Sequence, residues 1–112
     1  MSTDVQVTEQ IIATLEHNIK VAEAIERLDR NSDFKLVVTQ GFLRDECIRY
    51  VDLSGDPDLT EKARLDSLNI AQAGGHFKRY IESRMNLGRQ AQGQIVSQKN
   101  ALDEMRAEAA GE

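Results

Sequence analysis

The stretch TEQIIATLEHNIKVAEAIERLDR, residues 8–30, decides the fold class. Ile11, Ile12, Leu15, Ile19, Ala22, Ile25 and Leu28 recur at spacings of three and four, which lays one apolar stripe along an α-helix of about twenty residues. Thr8 is placed to cap it, with Glu9 in its first turn. Away from the stripe, Glu16 and Lys20, Glu23 and Arg27, and Glu26 and Arg30 are i,i+4 pairs in the favourable acid-before-base order. Such pairs outside an apolar stripe belong to a solvated helix face.

Reading outward, Asn31, Ser32 and Asp33 break the helix, because their side chains compete with the backbone for hydrogen bonds. A second helix is expected over roughly Phe34 to Asp52, starting from Ser32 or Asp33, with Phe34, Val37, Val38, Phe42, Cys47, Ile48 and Val51 as its apolar positions. Val37, Val38 and Thr39 favour sheet. A strand at Lys35–Thr39 would have no second strand to pair with, so helix is preferred. Ser54, Gly55, Asp56, Pro57 and Asp58 form the clearest turn. A third helix follows from Asp58 or Thr60, with Glu61 in its first turn and Leu65, Leu68, Ile70, Ala71, Phe77, Ile81, Met85 and Leu87 as apolar positions. Gly74 and Gly75 fall inside it, and two adjacent glycines cost about 2 kcal/mol relative to alanine in a helix. They mark a hinge or kink, a short break, or a close approach of another backbone.

After Gly88 the chain turns polar, with Gln90, Gln92, Gln94, Gln98 and Asn100. Ile95, Leu102 and Met105 recur at heptad-like separations, a seam too thin to bury itself, and a neighbouring chain is expected to complete it. The resulting fold class is all-α: a helical hairpin or three-helix unit with a long C-terminal helix. Its divisions are a flexible lead-in at 1–7, a helical domain at 8–89 and a polar C-terminal helical arm at 90–112.

Composition narrows the function. With 112 residues there is room for one domain at most. Aromatics make up 4% and Trp is absent, which argues against a deep aromatic-lined pocket. Fourteen Lys and Arg stand against nineteen Asp and Glu, a net charge of −5, so nucleic acid is disfavoured as a main partner. A local exception runs from Lys78 to Lys99, where Lys78, Arg79, Arg84, Arg89 and Lys99 face only Glu82. It reads as a solvated helix face, with an acidic protein partner and, after it, nucleic acid as the functional alternatives. The first ten residues lack the basic and apolar regions of a signal peptide, and no apolar run approaches the ~20 residues of a membrane helix. A soluble intracellular protein is expected, with no membrane partner.

A catalytic constellation does not assemble. His17, His76 and Cys47 show no metal-ligand spacing. Cys47, the only cysteine, is expected to be a buried, inert thiol. Asp45-Glu46 and Asp103-Glu104 point in directions about 100° apart on a helix, unlike an acid/base couple. Asp45 reads as a solvated carboxylate or the partner of an arginine at a subunit contact. His76, between Gly74-Gly75 and Lys78-Arg79, would suit an anion only if a helix restarted there. No enzyme activity, cofactor or metal is expected, and no catalytic, cofactor-binding or metal-ligating residue is assigned.

The order Arg27-Leu28, Asn31, Asp33-Phe34-Lys35, Gly41-Phe42, Asp45-Glu46, Asp56-Pro57, Gly75, Phe77, Tyr80 and Gly88, within Glu26 to Arg89, resembles small acidic helical proteins of tailed bacteriophages encoded among the head and neck structural genes. That resemblance implies a virion or assembly role, in the host cytoplasm during assembly and then in the particle. The partners it implies are other copies of the chain and portal, capsid or neck proteins. Residues Arg84, Met85, Leu87, Arg89, Ile95, Leu102 and Met105 are the expected partner contacts. The alternatives are a transient scaffolding protein or assembly chaperone absent from the finished particle, and a small regulator that binds a host protein.

Overall fold

The computed structural model describes residues 2–111, and it is all-α, with no strand among them. Helix α1 spans Ser2–Arg30. Helix α2 is composite: a turn at Ser32–Phe34, a π-helical stretch at Lys35–Glu46 and an α-helical end at Cys47–Ser54. Helix α3 spans Glu61–Gly111. The chain divides into two compact units. The first joins the described parts of Met1–Ile25 and Arg84–Glu112, and the second is Glu26–Ser83.

The first unit is an antiparallel helical hairpin. The Thr8 hydroxyl donates to the Met105 sulfur at 3.8 Å, Arg106 pairs with Glu9 at 3.0 Å and Lys99 with Glu16 at 3.6 Å, so α1 numbers rise as α3 numbers fall. Ile12, Leu15, Ala22 and Ile25 of the sequence stripe are buried, while Ile11 stays exposed. On α3 the positions that lose solvent include Arg84, Gly88, Ala91, Ile95, Gln98, Leu102 and Met105, which alternate by four and three. That is the heptad spacing of a two-helix seam. At its middle the helices come close enough that a Cβ on Gly88 would land against the Cβ of Ala22, and Ala91 is 1% exposed.

Three expectations change here. The helix begins at Ser2, ahead of Thr8, and Thr8 is a buried seam residue rather than a cap. Residues 2–7 of the expected lead-in are therefore helical, and Met1 lies outside the described residues. Glu16 reaches across to Lys99 rather than along α1 to Lys20, whereas Glu26 and Arg30 form their i,i+4 pair at 3.7 Å. The arm after Gly88 does not lack a partner within its own chain: α1 covers it, because Gly88 and Ala91 let the two backbones approach and bring Leu102 and Met105 into the seam.

The second unit takes in the last residues of α1, which Asn31 stops. The Asn31 backbone is extended (φ −78°, ψ 123°) and its side-chain oxygen accepts the Phe34 N–H at 2.9 Å, so Asn31 caps α2. The turn after α2 is held by Asp56, whose carboxylate accepts the Asp58 N–H at 2.9 Å, and Thr60 caps α3 by accepting the Ala63 N–H at 3.1 Å. Helix α3 then runs unbroken through Gly74 and Gly75. The glycine pair serves close packing at one position only: a Cβ on Gly74 would stand 2.5 Å from Cys47 Sγ, while one on Gly75 would meet nothing within 4 Å. Cys47 is half-buried, not fully buried, and its Sγ lies 3.5 Å from the Ala71 carbonyl oxygen that accepts from it. Thus α2 and α3 also run antiparallel in this unit.

The π-helical stretch is the feature that sequence periodicity did not indicate. A π-helix closes i→i+5 hydrogen bonds and usually occurs as a single turn; here it extends over Lys35–Glu46. The stiff β-branched run Val37-Val38-Thr39, which weakens α preference, lies inside it.

The hairpin makes opposite predictions for two glycines on one helix. Gly88→Val should lower stability by about 2 kcal/mol or more through overpacking against Ala22. Gly93→Ala places its Cβ in open space and should raise stability by up to about 1 kcal/mol. Urea unfolding of both variants checks this, and equal midpoints would mean that the helices are not in contact at Gly88.

Candidate interaction surface

The seven contact residues expected from the sequence fall into two groups. Leu102 is buried, and Met85, Ile95 and Met105 are half-buried in the first unit. Arg84 is also half-buried there, donating to Asn18 Oδ1 at 3.2 Å, while its Nε is buried without a partner. Leu87 and Arg89 are exposed, the latter donating to its neighbour Asn86 at 3.0 Å. On the intact hairpin Leu87 and Arg89 are the most accessible of the seven, Arg84, Met85, Ile95 and Met105 are partly so, and Leu102 is not.

The basic run is largely engaged within the chain as well. Arg84 holds Asn18, Arg89 holds Asn86 and Lys99 holds Glu16, which leaves Lys78 and Arg79 exposed. Asp45, considered as an arginine's partner across a subunit contact, pairs with its own neighbour Arg44 at 3.2 Å. Beside it Arg49 pairs with Glu46 at 3.0 Å and lies over the Tyr50 ring, 4.4 Å from its centre. The hydrogen bond that Arg49 donates to Glu46, together with that carboxylate's negative charge, holds the guanidinium above its already high ordinary pKa.

Chemistry finds little to work with. His17 and His76 are exposed, and among the described residues no group of three or more His, Cys, Asp or Glu is placed to hold a metal ion. The anion site considered at His76 required a helix N-terminus, whose free N–H groups make such a site. Because α3 is continuous there, those N–H groups are used inside the helix. The open end of the hairpin holds a cleft of about 610 Å³ with Val5 and Met105 on its floor and Asp4, Glu9, Arg106 and Glu108 around it. Its one cation is already paired with Glu9. No described helix is long and apolar enough to cross a membrane.

The second unit shows what sequence reasoning passed over. Between Leu36 and Val51, helix α2 carries Leu36, Val37, Val38, Phe42, Leu43, Cys47, Ile48 and Val51, yet Leu43 alone is buried. Leu36 and Val37 are 65% and 67% exposed, and Ile48 and Val51 57% and 53%. Helices apolar over more than one face are ordinarily covered on more than one face. The signal was present in the sequence as a helix with too many apolar residues for one stripe.

Comparison of the chain with protein-family models, with curated proteins and with solved structures gives no match.

The two groups of contact residues separate by stability. Leu102→Ala should cost about 2–4 kcal/mol, as large-to-small changes in a packed seam do. Leu87→Ala should stay within about 0.5 kcal/mol of the parent. Urea titration followed by circular dichroism reads both. An unchanged midpoint for Leu102→Ala, with a lower mass in solution, would make the arm an intermolecular element.

Proposed function

We propose that the chain is a non-enzymatic protein-binding component that works by helix packing against other protein subunits. The observation that carries this reading is α2, whose eight apolar residues between Leu36 and Val51 leave one, Leu43, buried. Exposed apolar side chains scattered singly need no explanation, but a helix whose apolar residues mostly face solvent is suited to a partner.

The setting we propose is a tailed-phage particle, in which the chain attaches to portal, capsid or neck proteins. The support is the resemblance of Glu26 to Arg89 to small head and neck region proteins, together with net charge −5, which suits protein rather than DNA surfaces. Particle assembly offers helical docking sites in many symmetric copies.

The test is sedimentation of the purified full-length chain, alone and mixed with purified portal, capsid and neck proteins. Binding to one of these with a defined stoichiometry, weakened by Val51→Asp, is expected. A chain that sediments as a monomer and binds none of them would sink the reading.

A further inference from the structure

We infer that the cleft at the open end of the hairpin receives an apolar side chain from a basic amphipathic helix of a different protein, whose lysines or arginines lie against Asp4 and Glu108. The cleft belongs to the first unit and α2 to the second. This inference therefore adds a second surface to the docking reading and is tested apart from it.

The cleft forms because the seam runs out of side chain before it runs out of helix. On α3 the seam residues Leu102 and Met105 are followed, four positions on, by Ala109, while on α1 the seam residue Thr8 is preceded by Val5. Ala109 is exposed and carries a single methyl, so the place that a leucine would fill stays open. The space is about 610 Å³, with Val5, Met105 and Ala109 as its apolar lining. In a heptad seam such a place is filled by a side chain from a facing helix. An amphipathic helix laid across the opening supplies that side chain, as in other helix-in-groove contacts. Met105 suits the role, because the unbranched thioether adapts its shape to what enters.

Charge selects the occupant. Around the apolar lining stand Asp4, Glu9 and Glu108 against Arg106. Arg106 is committed to Glu9 at 3.0 Å, and among the described residues Asp4 and Glu108 form no ion pair. A helix with a cation one turn from its apolar residue neutralises these two carboxylates, and one without it crowds them uncompensated. The net charge of −5 draws a basic partner and repels phosphate-bearing ones. It also sets a second copy at a disadvantage. In the chain's own basic run Arg84, Arg89 and Lys99 already hold Asn18, Asn86 and Glu16, and Lys78 and Arg79 have Glu82 within one turn.

The experiment is fluorescence anisotropy of a labelled synthetic helix, leucines on one face and lysines on the other, titrated with the full chain at about 0.15 M salt. A matched helix with glutamates for the lysines is the comparison. The lysine helix should bind and the glutamate helix should not. Asp4→Asn combined with Glu108→Gln should weaken binding about tenfold. Ala109→Leu, which fills the cleft, should abolish it. Both variants should keep the parent's helical circular dichroism, since all three residues are exposed. Glu23→Gln combined with Glu82→Gln makes the same charge change at exposed positions outside the cleft and should leave binding nearly unchanged. Absence of binding by the lysine helix overturns the inference. Equal weakening by the two double variants also overturns it, because that is general attraction of a cation to an acidic chain. Binding that survives Ala109→Leu places the helix elsewhere and has the same consequence. Light scattering of the parent tests the remaining occupant: self-association that Ala109→Leu abolishes would seat a second copy in the cleft in place of a foreign helix. Each of these failures leaves the α2 reading to be judged by Val51→Asp and the virion proteins.

Discussion

The close approach of α1 and α3 at Ala22, Gly88 and Ala91 is the constraint on which the first unit depends. Glycine and alanine at these positions remove the side chains that would hold the two helices apart, and interaxial distance in helix pairs is set by the residues at the crossing. Leu15 and Ile12 on α1, and Leu102 and Met105 on α3, then extend the seam on one side of the crossing. The ion pairs Glu9–Arg106 and Glu16–Lys99 lie along its edge with both partners about half exposed, so each contributes little beyond register. Packing, not charge, holds this hairpin.

The second unit uses the same device once, at Gly74, and stops there. Cys47 and Leu43 meet that glycine, and little else of α2 is covered. A π-helical segment changes which residues share a face, because its turn is longer than that of an α-helix. Residues that a 3.6-residue period would gather on one stripe are thereby spread around the helix, and apolar side chains such as Leu36 and Val37 emerge into solvent. The surface available for docking is thus a product of backbone geometry as much as of composition.

Much of the architecture was legible in residues 8–30 and in the turn chemistry. The Asn31 break, the Asp56-Pro57 turn and the Glu61 start each rest on local hydrogen-bond preferences that act over three or four residues, and sequence carries those directly. In the arm after Gly88 the Ile95, Leu102 and Met105 seam was legible but its cover by α1 was not, because the rest of the seam is written in Gly88, Ala91 and Gln98, which no hydrophobicity pattern distinguishes from a polar surface. Nor was the fate of Thr8: a hydroxyl that can cap a helix can equally sit in a seam, and only the position of Met105 decides between them. Of the expected contact residues, Leu87 and Arg89 are exposed, Arg84, Met85, Ile95 and Met105 are half-buried and Leu102 is buried.

What separates a docking protein from an aggregating one is how its exposed apolar residues are distributed among charges. In α2 the apolar groups at Leu36–Val38 and at Ile48–Val51 are divided by Arg44, Asp45, Glu46 and Arg49, which pair among themselves at 3.0–3.2 Å. These ion pairs are exposed and add little stability. They do impose a cost on any partner that would bury them without offering matching groups. The chain as a whole carries a net charge of −5, so neighbouring molecules repel on net. On the proposed reading, the same residues make this surface receptive to a complementary helix and costly for an arbitrary one to bury.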